Sequence, residues 1–107
     1  MDLLDAAARR EAFAALPLWR HDAARDALVR TFTFEDFRQA FSFMTEIALS
    51  AERRDHHPDW SNAWNRVEVA WTSHDVKGLS RRDVEMARAS DAAFTRFGKD
   101  AHPGQCA

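Results

Sequence analysis

The sequence predicts an α+β domain with the order α-β-β-α-β-β-α, a four-stranded antiparallel sheet, and helices packed on one face of that sheet. Segment 66–73 alternates apolar with mostly polar residues, and segment 28–34 is rich in β-branched and aromatic residues; both features are typical of strands. Between them, residues 35–52 carry apolar side chains at steps of three and four, which indicates an amphipathic helix. The connections between consecutive strands are short, and short connections favour antiparallel pairing.

The N-terminal part of the chain predicts one helix and the first two strands. Residues 4–15 are rich in Ala, Arg and Glu, which are strong helix formers, and Pro17 ends this helix. Trp19 opens a short strand, and residues 21–27 form the turn that leads into the strand over 28–34. The side chains predicted on one face of that second strand are Leu28, Arg30, Phe32 and Phe34.

The central helix is predicted to begin at a capping arrangement of Thr33 and Asp36, whose side chains can accept hydrogen bonds from free backbone N–H groups. Most apolar residues of this helix form one stripe along its surface. Phe43 adds apolar surface outside that stripe, so we expect the helix to be covered on more than one side. This Phe-rich stripe is predicted to lie in the core or in a subunit interface. Its members are Phe37, Ala40, Phe41, Met44, Ile47, Ala48 and Ala51.

The second half of the sheet is predicted to be a hairpin. The segment 52–59 is too charged, and too interrupted by Pro58, to continue the central helix, so we expect a loop there. Strands over 60–64 and 66–73 follow, with a turn near Asn65.

A last helix completes the predicted domain. After a loop, the pair Ser80 and Asp83 marks a helix start, and the helix covers 80–97. We therefore predict a single domain over 1–97 and a flexible C-terminal tail over 98–107.

Composition excludes several classes of protein. The 107 residues include 15 Lys and Arg against 17 Asp and Glu, so with a net charge of −2 we expect neither a nucleic-acid partner nor a membrane surface. The single cysteine, Cys106, cannot form an internal disulfide, which fits a reducing compartment. No segment has the uninterrupted apolar run of a signal peptide or a membrane span, so we expect a cytoplasmic protein.

The strongest chemical signal is a pair of adjacent histidines, His56 and His57. Two imidazoles in a loop make poor core material, because both nitrogens of each ring need hydrogen bonds or water. Near neutral pH an imidazole can both donate and accept a proton. Pro58 restricts the backbone of His57, while Asp55 and Asp59 could orient a ring or tune its charge. The pattern leaves open an alternative, a helix C-terminus at which the histidines bond to free carbonyl groups.

A third histidine, His74, follows the last predicted strand. The hairpin can bring it close to His56 and His57, which would gather three imidazoles in one pocket. A zinc site is the weaker alternative, because no ligand spacing such as HxH is present. His21 and His102 are predicted to be ordinary surface residues.

Two more residues could support such a pocket. Asp83 is predicted mainly as a helix-start carboxylate, with a supporting role in the site as the alternative. Trp60 could wall the pocket, but packing in the core explains it equally well.

Three blocks of the sequence resemble the pterin-4a-carbinolamine dehydratase family. They are FTFEDFRQAFSFMTEIAL at 32–49, AERRDHHPDW at 51–60 and NRVEVAWTSHDVKGLSRRD at 65–83. The specific element is HHP-x-W, followed at the family's distance by T-x-H and by a GL-[ST] segment. The resemblance covers roughly residues 4–97, and it implies the same α-β-β-α-β-β-α fold.

The resemblance implies a hydro-lyase without a metal or other cofactor. The family dehydrates 4a-hydroxytetrahydropterin to quinonoid dihydropterin, which recycles the pterin after an aromatic amino acid hydroxylase has used it. The family's three active-site histidines match His56, His57 and His74. Our hypothesis makes His56 and His74 the acid and base, with His57 positioning the pterin. The implied substrate contacts are His56, His57, Pro58, Ser73, His74, Asp75 and Val76, the last being often Cys or another small residue in relatives.

The alternative function is protein binding on the same fold. Relatives act as a dimerisation cofactor for a homeodomain transcription factor (a coactivator role), and others resemble Rubisco assembly chaperones. The complete histidine set favours the enzyme, since a binding module does not need it. The resemblance further implies a homodimer or homotetramer, with the helix over 35–52 as the associating element, and a functional link to phenylalanine hydroxylase.

Overall fold

The computed structural model describes residues 2–97, which form three helices and four strands in the predicted order. The elements are α1 (Ala6–Ala15), β1 (Arg20–Asp22), β2 (Ala27–Thr33), α2 (Phe37–Arg54), β3 (Asp59–Ala63), β4 (Arg66–Trp71) and α3 (Arg81–Phe97). The sheet is antiparallel throughout, with the strands in the spatial order β1-β2-β4-β3. The predicted α+β fold class is confirmed.

The predicted tail, 98–107, lies outside the described residues. It includes His102 and Cys106. Within residues 2–97, no helix is long and apolar enough to cross a membrane.

The core lies on one face of the sheet, where β2 and β4 pair large apolar side chains. Leu28 lies opposite Trp71, and Phe32 lies opposite Val67. All four side chains are at most 1% exposed. The helices complete the same cluster, to which they contribute Phe13, Ala40, Phe43, Ile47, Ala51, Met86 and Ala87.

The predicted alternation of β2 also places Arg30 toward this core. Its guanidinium lies 4.4 Å from the centre of the Phe32 ring and 5.1 Å from that of Phe94. It also donates to Asp91 in α3 at 2.5 Å. The charged group is therefore partly buried with both an aromatic face and a carboxylate as partners.

The face of α2 that packs on the sheet differs from the prediction. Phe43, predicted off the main stripe, is fully buried, and its ring centre lies 4.7 Å from that of Phe32 and 5.1 Å from that of Phe34. Phe37 and Phe41, predicted on the stripe, are 48% and 56% exposed. The apolar arc of α2 is wider than the face that the sheet covers, so packing against the phenylalanines of β2 decides which part is buried.

The start of α2 differs from the predicted cap. Asp36 alone is the N-cap residue, and its side chain accepts a hydrogen bond from the backbone N–H of Gln39 at 2.9 Å. Thr33 instead is the last residue of β2 and pairs with Arg66.

Other element ends lie a few residues from the predicted positions. The helix α2 continues to Arg54, so the loop before β3 covers only residues 55–58. His21, predicted to lie in a turn, belongs to β1 and pairs with Leu28. In both places more residues form helix or strand hydrogen bonds than the local sequence predicts.

Asp26 fastens the N-terminal segment to the loop that follows β4. Its carboxylate accepts two bonds of 2.8 Å from the Arg9 guanidinium and one of 3.1 Å from the backbone N–H of Leu79. The Nε2 atom of His21 lies 2.7 Å from the same carboxylate. A Cβ at Gly78 would lie 2.3 Å from Asp26 Oδ2, so this close approach needs glycine. The bonds from Arg9 hold the pKa of Asp26 well below its ordinary value.

We predict that Asp26→Asn destabilises the protein most near neutral pH and least in acid. A carboxyl whose pKa is depressed by folding stabilises the folded state above its ordinary pKa of 3.8, and this contribution disappears as the pH falls through the folded value. In acid the protonated carboxyl resembles the amide, so the two stabilities should converge. Urea unfolding from acid to neutral pH measures the difference, with the exposed Asp2→Asn as the control. A destabilisation that does not change with pH would contradict the prediction.

Candidate functional site

A buried carboxylate, that of Asp83, joins three separate parts of the chain. Its Oδ1 atom lies 2.6 Å from Nε2 of His56. Its Oδ2 atom accepts hydrogen bonds from the Ser73 hydroxyl at 2.8 Å and from the Ser80 backbone N–H at 2.9 Å. Asp83 has no exposed surface, and the other three residues are also buried. Hydrogen bonds therefore replace the water that this carboxylate has lost.

The start of α3 explains why Asp83 occupies this position. The first N–H groups of a helix lack partners within the helix, and the helix dipole favours negative charge there. Asp83 lies in the first turn, where it accepts the N–H of Ser80, the residue before α3. Asp83 is therefore a helix-start carboxylate and also the residue that contacts His56.

His56 is held by the end of α2. Asp55 has a left-handed backbone with φ 51°, which ends the helix, and the His56 N–H donates to the Ala51 carbonyl at 3.0 Å. The His56 ring lies nearly parallel to the Trp71 ring, with 5.7 Å between their centres. The residue is 7% exposed. A backbone bond, an aromatic face and a carboxylate thus set the orientation of this imidazole.

The other two histidines of the predicted site are exposed. Nε2 of His57 lies 2.9 Å from Oε1 of Glu52, and its side chain is 55% exposed. Nε2 of His74 lies 3.4 Å from Oδ2 of Asp59, and its side chain is 75% exposed. All three imidazoles thus contact carboxylates. The helix-end carbonyl of Ala51 is bonded by the backbone N–H of His56 and not by an imidazole, so the alternative interpretation holds only for the backbone.

The structure brings the three histidines together around one cavity of about 350 Å³. The hairpin of β3 and β4 is responsible: Asp59 pairs with Ala70, which places the end of β4 beside the loop before β3. The cavity is lined by Asp55, His56, His57, Thr72, His74, Asp75 and Arg82.

Besides Asp83, four residues predicted from the sequence to belong to the site lie outside this lining. The Ser73 hydroxyl is buried against Asp83, and Ser73 lines a neighbouring cavity of about 330 Å³. Trp60 packs against the core cluster. Pro58 and Val76 are half-buried and do not line the cavity. Their contacts with a substrate stay predictions.

Arg82 and Thr72 line the cavity although the sequence analysis did not single them out. Arg82 donates to Asp75 at 2.6 Å, and this bond from the guanidinium holds the pKa of Asp75 below its ordinary value. The Thr72 hydroxyl donates to the carbonyl of Asp26 at 2.9 Å. The sequence signal for both is their position: Arg82 directly precedes Asp83, and Thr72 is the first residue of the T-x-H element that ends in His74. Among residues 2–97, no group of three or more His, Cys, Asp or Glu side chains is arranged to hold a metal ion.

Comparison with known proteins gives the family. Residues 2–93 match the model of the pterin 4 alpha carbinolamine dehydratase family. The chain belongs to this family. A protein of Rhizorhabdus wittichii, provisionally named a pterin-4-alpha-carbinolamine dehydratase, is 58% identical over 84 residues, which are 78% of this chain and 87% of that protein. A protein of Afipia carboxidovorans with the same provisional name is 48% identical over 97 residues, 91% of this chain and 97% of that protein.

Two solved structures share the fold of this pterin dehydratase family member. A transcriptional coactivator/pterin dehydratase from Brucella melitensis superposes with a TM-score of 0.81 at 43% identity, covering 85% of this chain and 97% of that one. A pterin dehydratase-like protein identified as a RuBisCO assembly factor in the alpha-carboxysome has a TM-score of 0.62 at 21% identity, covering 70% and 87%. The second shares the fold alone. Proteins of this fold have been described with different roles, so function must be argued from the site.

We predict that Asp83→Asn moves the hydrogen on the His56 ring. An ionised carboxylate only accepts, so it requires the hydrogen on Nε2 and leaves Nδ1 to accept. The amide of Asn can donate to Nε2 while its oxygen keeps the bonds from Ser73 and Ser80, which favours the hydrogen on Nδ1. Nitrogen NMR of labelled histidine measures the tautomer. The matched control is Glu52→Gln beside His57, which should leave the His56 signals unchanged. The same His56 tautomer before and after Asp83→Asn would contradict the prediction.

Proposed function

We propose that this protein dehydrates a 4a-hydroxytetrahydropterin to the quinonoid dihydropterin and releases water. The observation that carries the proposal is that His56, His57 and His74 line one cavity in a chain that belongs to a pterin dehydratase family. The cavity of about 350 Å³ falls in the size range of small-molecule sites.

The reaction needs one acid and one base. The acid gives a proton to the hydroxyl oxygen on C4a, the bond between that oxygen and C4a breaks, and water leaves. The base takes a proton from a ring nitrogen, whose electron pair forms the new double bond to C4a. The atoms balance without an oxidant or reductant. Imidazoles suit both roles near neutral pH, and each such group typically contributes about 100- to 10,000-fold.

We assign the acid and base roles to His56 and His74. The Nε2 atom of His56 is bonded to Asp83, so Nδ1 is the nitrogen that would exchange a proton with the substrate. The side chain of His74 is 75% exposed, so its proton can be exchanged with solvent between turnovers. His57 would position the pterin from the side of the loop that follows α2.

The substrate would come from a reaction that hydroxylates the pterin ring. A pterin-dependent aromatic amino acid hydroxylase, such as phenylalanine hydroxylase, produces that compound, and we place this recycling step in the cytoplasm. The supporting evidence is the family membership.

We predict that the protein turns over enzymatically generated 4a-hydroxytetrahydropterin and that His56→Ala and His74→Ala each lower kcat by about 100-fold. His57→Ala should raise KM more than it lowers kcat, because a positioning group acts mainly on binding. The same substitution at His21, which lies outside the cavity, is the matched control. Wild-type turnover by His74→Ala would remove His74 from the mechanism, and no turnover by the wild type would refute the proposed function.

We also propose that the uncovered face of α2 binds a second copy of the chain. Phe37 and Phe41 are 48% and 56% exposed, and their ring centres lie 5.7 Å apart. Burying a large apolar side chain contributes roughly 1.5–3 kcal/mol. Covering this pair would therefore favour association.

We predict that Phe41→Ser shifts the protein toward a smaller assembly, which light scattering after gel filtration measures as a lower mass. Trp64, in the turn between β3 and β4, is 68% exposed, so Trp64→Ser is the control for loss of an exposed aromatic side chain. A wild-type protein that is monomeric throughout would rule out the association.

A protein-binding role is the alternative, and the exposed Phe37–Phe41 pair is the observation that favours it. The described roles as transcriptional coactivator and as RuBisCO assembly factor belong to the two structural relatives. A binding module does not need three histidines around a cavity. A folded wild-type protein without dehydratase turnover would favour this alternative.

A further inference from the structure

The cavity lined by His56, His57 and His74 is called the histidine cavity below. A second cavity, of about 690 Å³, adjoins it and is lined by cationic side chains. Arg54 comes from the last turn of α2, and Arg82 and Arg88 come from α3. Among the described residues that line it, Glu85 is the only carboxylate. We call this space the arginine cavity; its remaining lining consists of His56, Met86 and Ala89.

The arginines of this cavity are poorly compensated. Within residues 2–97, Arg54 and Arg88 form no ion pair, and the contact of Arg54 is with the sulfur of Met86 at 3.9 Å. Arg82 pairs with Asp75 at 2.6 Å, but its buried Nε has no hydrogen-bond partner in the same part of the chain. With Asp75 included, the three guanidinium groups have only two carboxylates near them, those of Asp75 and Glu85. Arg54 and Arg88 are exposed, so water screens part of the repulsion between these like charges. A bound anion would remove the repulsion that remains.

The two cavities share His56 and Arg82 in their linings. A ligand that occupied both cavities would therefore contact His56 and Arg82. Guanidinium groups bind carboxylate and phosphate with two parallel hydrogen bonds, so the chemistry of this second space suits an anionic group.

We propose that the arginine cavity binds a carboxylate or phosphate on the side chain of the substrate, so that an anionic pterin is preferred over a neutral one. This inference rests on the proposed dehydratase function. It assigns ring binding to the histidine cavity and side-chain selection to Arg54 and Arg88.

The test compares two substrates with the same 4a-hydroxytetrahydropterin ring. One carries a methyl group at C6, and the other carries a C6 side chain that ends in phosphate. We predict a higher kcat/KM for the phosphate substrate and a ratio of the two values that falls about tenfold in the double variant Arg54→Gln with Arg88→Gln. The matched control is Arg53→Gln, which removes a charge from the same helix turn outside the arginine cavity and should keep the ratio.

Inorganic phosphate separates an anion attached to the pterin from a free one. If the cavity binds the substrate side chain, phosphate competes with the phosphate substrate and leaves the kinetics of the methyl substrate unchanged. Activation of the methyl substrate by phosphate would instead indicate a free-anion site and would overturn this proposal.

The remaining outcomes separate this inference from the proposed function. Equal kcat/KM values for the two substrates would leave the dehydratase in place and overturn the anion preference. If neither substrate is turned over, the dehydratase fails, and fluorescence titration with the corresponding unreactive dihydropterins tests the site alone. Tighter binding of the phosphate compound that the double variant loses would support the arginine cavity; equal binding would overturn it.

Discussion

The carboxylate of Asp83 has no exposed surface, yet its oxygens contact His56, Ser73 and Ser80. An ionised carboxylate removed from water costs several kcal/mol unless donors replace the water. All three donors must therefore be in place when the chain folds. They come from the end of α2, the segment after β4 and the start of α3, so one buried group fixes the parts of the chain that surround the histidine cavity.

The loop that carries His74 is held at two points. Backbone hydrogen bonds between Ser73 and Gly78, at 2.9 and 3.1 Å, close this loop. Asp83 binds its first residue, and Asp26 lies against Gly78 and accepts the N–H of Leu79. An exposed histidine thus lies on a loop whose ends are fixed to the core, which combines access for a ligand with a defined position.

For ligand binding, the positions of the charged side chains matter more in this protein than the net charge of the chain. The whole chain has a net charge of −2, which predicts no anionic macromolecule as a partner. Locally, the end of α2 and the first turns of α3 bring Arg54, Arg82 and Arg88 to one cavity beside His56. A small, concentrated positive region is suited to one anionic group of a small ligand, and total charge does not reveal it.

The element order and the choice of His56, His57 and His74 as candidate site residues could be predicted from the sequence, because hydrophobic periodicity, turn residues and an unusual HHP segment are local signals. The burial of Phe43 rather than Phe41 could not be predicted in this way, because several faces of α2 are apolar and the sheet covers one of them. Only the tertiary structure likewise paired His56 with Asp83, 27 positions away. Such partners are chosen by the packing of α2 and α3 on the sheet, and sequence spacing does not encode that packing.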